Sequence, residues 1–167
     1  MMNALSVEAI NQHAPYHVEK IDNREMYTFV SDTGVELIIG FMKDDLITSA
    51  PTYQLAVSNV NNKRSPRDKK VKQTTYAILT EFFEKNQAAL LYICQTGDGK
   101  QQARHRLFSF WFDRFELSTR YTCLTTAIAD EEGVYNAATL LIRNDNPNLA
   151  TLMSEFNDTA ILLREKP

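Results

Sequence analysis

Between Tyr16 and Asn59 apolar and polar residues alternate with a period of two, the pattern of strands that bury one face. YHVEKID and MYTFVS flank a turn near Asp22 and Asn23. DTG at 32–34 makes a second turn around Gly34, VELIIGFM continues the meander, and TYQLAVSNV forms a fourth strand after Pro51. The period then changes. Val71, Thr75, Ile78, Leu79, Phe82 and Phe83 recur at the spacing of one helical stripe. Ser65 is placed to cap this helix, Pro66 suits its first position, and Asp68 sits near the positive end of its dipole. The helix ends near Asn86. ALLYICQT follows as an almost unbroken apolar run, the mark of a central strand buried on both faces.

A GDG loop leads into a second helix reaching about Phe115. STRYTCLTTAIAD and VYNAATLLIRND then form a long hairpin that turns at Gly133. Asn146 and Pro147 start a last helix whose Leu149, Leu152, Met153, Phe156 and Ala160 share a face. The order is ββββ-α-β-α-ββ-α, and the economical arrangement is α+β, a mostly antiparallel sheet with helices packed on it. Residues 1–14 read either as a short helix or as a loose arm, and 15–167 as a single domain. Self-association through the 118–143 hairpin depends on which strand lies at the sheet edge.

The size fits one core: a chain of 167 residues, 44% of them hydrophobic, is a single-domain length, and folding buries roughly 70% of the surface of such a chain. The N-terminus lacks a basic leader with an apolar run, and no stretch approaches the ~20 apolar residues of a membrane span. A cytoplasmic protein without membrane contact is expected. Cys94 and Cys123 both fall in apolar strand-like segments, with no paired or metal-ligand spacing, so they read as small hydrophobes.

Candidate chemistry concentrates in two places. The first is CQTGDGKQQARHRLFSFWF at 94–112. A strand, a Gly-containing loop and a helix present free amides to an anion, and Gly97, Asp98 and Gly99 form that loop. Asp98 with Gln101 three positions on also makes a capping box, which satisfies those amides internally and is the stronger explanation. The loop partly resembles the Q/R-x-x-G-x-G/A phosphate loop of GCN5-related acyltransferases. Gly97 and Gly99 fit that pattern, whereas Cys94 stands at the leading polar position, so a coenzyme-A-dependent enzyme using the 96–100 loop is the alternative reading. On the helix, Ala103, Leu107, Phe108, Phe110, Trp111 and Phe115 share one face, and Arg104 falls inside it. A guanidinium there needs a carboxylate, a route to water, or a ligand anion.

The second place is KRSPRDKKVK at 63–72, with six basic residues and one acidic, a local charge of +5. The other 12 basic and 20 acidic residues give −8, so a net charge of −3 conceals a strongly dipolar chain. Such a cluster is either a solvated loop or a docking point for a phosphate backbone or an acidic protein. The expected anion- or nucleic-acid-binding residues are Lys63, Arg64, Lys69 and Lys70, extended by Lys100, Arg104 and Arg106. Helical spacing that would suggest a metal is absent among His13, His17 and His105, and no catalytic constellation or cofactor is implied. A non-enzymatic binding or regulatory module is the leading expectation.

YTFVSDTGVEL, VKQTTYAILTEFF, LLYICQTGDGKQQARHRLFSFWF and LIRNDNP together resemble a family of small bacterial proteins of unknown function. The resemblance spans Tyr27 to Pro147. It is most distinctive at Cys94, Asp98, Arg104, Arg106, Phe108, Trp111 and Phe112, with Gln95 where relatives tend to place an acid. It implies a self-contained cytoplasmic domain and assigns no activity.

Overall fold

A computed structural model of the chain describes residues 2–61, 68–94, 119–129 and 135–164. In chain order the elements are α1 (Val7–Asn11), β1 (Glu19–Lys20), β2 (Met26–Val30), β3 (Glu36–Lys43), β4 (Thr52–Asn59), α2 (Lys69–Lys85), β5 (Ala89–Cys94), β6 (Tyr121–Ala129), β7 (Tyr135–Arg143) and α3 (Leu149–Arg164). The strands form one seven-stranded sheet in the order β1-β2-β3-β4-β5-β7-β6. Neighbours are antiparallel except β4 and β5, which run parallel. A parallel neighbour cannot be reached by a tight turn, so α2 serves as the crossover between them. The fold is α+β, as the alternation of periods anticipates.

The period-two pattern sorts the side chains onto two cores. Tyr27, Phe29, Leu37, Ile39, Phe41, Leu55 and Leu90 are buried in one core with α1 and α2. Ala89, Leu91, Ala138, Leu140 and Ile142 are buried in the other with Leu152 and Phe156 of α3. Strand β5 feeds both: Leu90 and Leu91 face opposite ways and each is only 1% exposed. This is why its sequence is apolar without alternation. On the α2 side, Phe82 stacks on Phe41 at 4.8 Å and meets Phe83 edge-on at 5.2 Å. All six positions of the expected α2 stripe are buried.

The start of α2 differs from expectation. The helix begins at Lys69, and Asp68, not Ser65, is its N-cap. Asp68 has extended backbone angles, φ −112° and ψ 115°, so it cannot belong to the helix interior. Its carboxylate accepts the Lys70 N–H at 2.8 Å and the Val71 N–H at 3.4 Å. An acceptor at the cap satisfies two of the otherwise orphaned amides, a stronger constraint than the preference of proline for a first turn.

Gly34 adopts φ 82° and Asp22 φ 47°, placing the two early turns where the polar clusters predict them. Residues 2–14 contain α1, capped by Ser6, and are strapped to the far end of α2. Asn3 donates its amide to the Asn86 side chain at 2.7 Å and accepts that side chain's N–H at 3.2 Å. Ser6 donates its amide to the buried Glu81 at 2.6 Å. Strand β6 lies at one edge of the sheet, and β7, its hairpin partner, is interior.

Glu155 of α3 closes the 44–51 loop. Its carboxylate accepts the Thr48 N–H at 2.7 Å and the Ser49 N–H at 2.9 Å. Partial burial works to raise its pKa, but the bonds from Ser49 and Thr48 together outweigh it and hold the carboxyl below its ordinary value. Glu155→Gln is expected to lower unfolding free energy by about 1 kcal/mol at neutral pH, since the pair of bonds is largely solvent-exposed. Because the folded-state pKa is depressed, that difference is present above the unfolded carboxyl pKa and disappears as pH falls through the folded one. Urea titrations of both proteins along a pH series measure it; a difference that stays constant into acid contradicts this assignment. Asp68→Ala is expected to cost about 1–2 kcal/mol in the same assay through loss of the α2 cap.

Candidate functional site

The carboxyl end of β4, the carboxyl end of β5 and the amino end of α2 meet at one end of the sheet. This follows from direction alone: β4 and β5 run parallel, and α2 starts where β4 has ended. In parallel crossover units, ligands bind outside the carboxyl ends of the strands, because the helix amino end and the connecting loops converge there.

Two of the expected basic residues, Lys69 and Lys70, are described, and both are exposed in the first turn of α2. Lys70 Nζ lies 3.2 Å from Asp32 and 5.8 Å from the centroid of the Tyr16 ring. The side chains of Lys70 and Asp32 are 55% and 71% exposed. An ion pair so open to water is worth ~0–1 kcal/mol, so Asp32 holds Lys70 loosely and does not use up its charge. Tyr16 ties the two acids together: its hydroxyl donates to Asp68 at 2.6 Å and accepts the Asp32 N–H at 3.3 Å. Burial, followed by the bond to Asp68, raises the pKa of Tyr16.

Lys63, Arg64, Lys100, Arg104 and Arg106 lie outside the described residues, as do Gly97, Asp98 and Gly99 of the loop and the aromatic stripe around Arg104. The acidic neighbours of Lys70 were missed by sequence reasoning. Asp32 sits in the second turn, 38 positions before Lys70, and nothing in local spacing joins them. Asp68 was read as a dipole partner, although an acid immediately before a helical stripe is also a cap signal.

At the same end, the parallel ladder is short. The β4–β5 register contains three positions, Thr52↔Ala89, Tyr53↔Leu90 and Gln54↔Leu91. Yet β4 continues to Asn59 and β5 to Cys94. Beyond Gln54 and Leu91 the two strands have no paired positions among the described residues. The bonds where the ladder starts fix which main-chain groups lie between the strands. Ala89 donates its amide to the Pro51 carbonyl at 3.0 Å, and Asp44 donates to Thr52 on the β3 side at 3.1 Å. Alternation then points the amide and carbonyl of Val57 toward β5, and those of Ile93 toward β4. Main-chain groups beyond the end of a ladder need another partner.

A second concavity, a polar cleft of about 380 Å³, lies at the opposite end of α2 beside Asn3, Lys85, Asn86 and Arg143. Several of its groups are already engaged. Arg143 donates to Asp145 at 3.0 and 2.7 Å and approaches Glu84 at 3.5 Å, while Asn3 and Asn86 hold each other. The first turn of α2, with its exposed Lys69 and Lys70, is therefore the better candidate.

Among the described residues, no helix is long and apolar enough to cross a membrane. No curated protein matches the chain. A family model does, over residues 67–158, which is more than half of the sequence and includes α2, β5, β6, β7 and most of α3. That stretch takes in one strand of the parallel pair and the helix that joins it to the other, and the chain belongs to this family of unknown function, DUF6169.

Proposed function

We propose that the protein is a binding module that engages an anionic partner, a nucleic acid or an acidic protein surface, at the amino end of α2. The observation that carries this reading is the exposure of Lys69 and Lys70 in one turn of helix, within a ten-residue stretch that bears +5 on an otherwise acidic chain. Cations at a helix amino end oppose the helix dipole, so their placement is not explained by helix stability. Asp68 offsets part of that cost by capping. A loosely paired Lys70 can exchange Asp32 for a phosphate or carboxylate of the partner with little loss. Lys63 and Arg64 extend the same patch along the sequence, and Lys100, Arg104 and Arg106 are the proposed second contribution.

Binding of the full chain to single- and double-stranded DNA, RNA and polyglutamate across a salt series tests the reading. Affinity for at least one polyanion is expected to fall steeply as salt rises, because each neutralised phosphate releases counterions. Lys69→Glu with Lys70→Glu is expected to weaken that binding about 10-fold or more and to flatten the salt slope. Binding of polyglutamate without nucleic acid selects the acidic protein. No binding at low salt, or binding indifferent to salt, defeats the proposal.

A further inference from the structure

The polar cleft at the carboxyl end of α2 keeps donors that its internal bonds leave over. We propose that it binds a small zwitterion of the α-amino-acid class, with the ligand carboxylate at Lys85, Arg143 and Asn146 and the ligand ammonium at Glu84 and the carbonyl end of α2. The cleft lies at the far end of α2 from Lys69 and Lys70. The proposal therefore stands apart from the anion-binding reading above.

Three observations converge on this. First, Asn146 lines the cleft and is only 6% exposed, and its Oδ1 accepts the Asn148 N–H at 2.8 Å. That bond fixes which way the amide is turned, because only the oxygen can accept. The amide nitrogen, with two N–H donors, has no partner among the described residues. A buried donor left over is costly, and beside a cleft it marks a place where an acceptor is expected to arrive. Second, the charges around the cleft balance. Lys85 and Arg143 are cationic, and Glu84 and Asp145 are anionic. A neutral set gives a lone ion little net attraction, whereas a ligand with one pole of each sign gains at both. Third, the pairing is uneven. Asp145 holds Arg143 by two bonds, at 3.0 and 2.7 Å. Glu84 stands 3.5 Å from the same guanidinium, beyond the ~2.7–2.9 Å of a strong charged bond. The Lys85 ammonium has no partner among the described residues. An exposed contact as long as that between Glu84 and Arg143 contributes little, so the two poles of a ligand can enter between them at small cost.

Size and polarity narrow the class. At about 380 Å³ the cleft is at the small end of ligand sites, which span ~300–1,000 Å³ and are mostly apolar. Here amide and charged side chains dominate instead, and Asn3 and Gln87 add to them, which favours a ligand with a polar side chain. The negative end of the α2 dipole adds attraction for an ammonium group. Asn3 is tied to Asn86 at 2.7 Å, so the segment before α1 forms part of the wall.

Calorimetry and amide-resolved NMR titration of the full chain with L-glutamine, N-acetyl-L-glutamine, the C-terminal carboxamide of L-glutamine, and glucose test the proposal. These probes carry both poles, the carboxylate alone, the ammonium alone, and neither. L-glutamine is expected to bind and to shift the amides of Gln87, Ala88, Asp145 and Asn146. Each single-pole probe is expected to bind about 10-fold more weakly or worse, the loss of one charge-assisted hydrogen bond. Asn146→Asp keeps the acceptor for Asn148 and sets a carboxylate oxygen where the donors were. It is expected to weaken L-glutamine about 10-fold and to leave the carboxamide, which brings its own N–H donors, unaffected. Lys85→Gln removes an exposed charge and is expected to weaken L-glutamine about 3-fold or more without changing the carboxamide. This surface variant decides the matter should Asn146→Asp fail to fold.

N-acetyl-L-glutamine binding as tightly as L-glutamine makes the cleft an anion site and overturns the proposal. Binding of glucose in place of L-glutamine, or L-glutamine affinity indifferent to both variants, overturns it as well. So does the absence of any shift at the cleft with L-glutamine. None of these results bears on polyanion binding at the amino end of α2.

Discussion

The parallel pairing of β4 with β5 is the constraint on which the rest of the structure depends. Of the six neighbouring pairs in the sheet five are antiparallel and β4–β5 alone is parallel, and a parallel join demands a long return path. Helix α2 supplies that path and covers one face of the sheet as it does so, bringing Phe82 onto Phe41 and burying Ile78 and Leu79. With α3 on the other face, β5 becomes a strand walled on both sides, and its sequence has no polar face to show. The same direction sets the chemistry. Two strand carboxyl ends and a helix amino end arrive together, and the ladder between the strands stops short of them.

Charge is managed around that end in a specific way. Asp68 caps the helix, Tyr16 bridges Asp68 to the backbone of Asp32, and Asp32 reaches Lys70. The acids stabilise the fold locally, yet the lysine heads remain in water. A cluster meant only to balance charge would gain most from closer, two-bonded pairs of the kind Arg143 makes with Asp145 at the other end of α2. The two ends of one helix thus contrast: a bonded polar network at the carboxyl end and exposed, loosely held cations at the amino end.

Much of the architecture was legible in the sequence because it rests on local period. The alternation through Tyr27, Phe29, Leu37, Ile39 and Phe41 names one core face directly, and the α2 stripe names its partner. The unbroken apolar run at 89–94 declares an interior strand. The parallel sense of β4 and β5 was not legible, because it is a property of pairing between residues 37 positions apart and leaves no local mark. For that reason the local pattern points to the glycine loop at 97–99, where a strand, a loop and a helix are adjacent in sequence. The β4 to α2 transition, with fewer glycines and more charge, has the same form and sits beside the parallel join. The cap of α2 was misplaced for a related reason: Ser65, Pro66 and Asp68 each carry a valid start signal, and only the geometry of Asp68 decides among them.

The central claim is that the β4–β5 ladder ends at Gln54 and Leu91 although both strands run on. Amide hydrogen exchange, resolved residue by residue in the unliganded protein, tests it most directly. The account predicts slow exchange at Ala89 and Leu91, where the strands are joined, and exchange faster by orders of magnitude at Val57 and Ile93, where they part. Protection at Val57 and Ile93 equal to that at Leu91 would mean that the sheet is closed there, and would contradict the account.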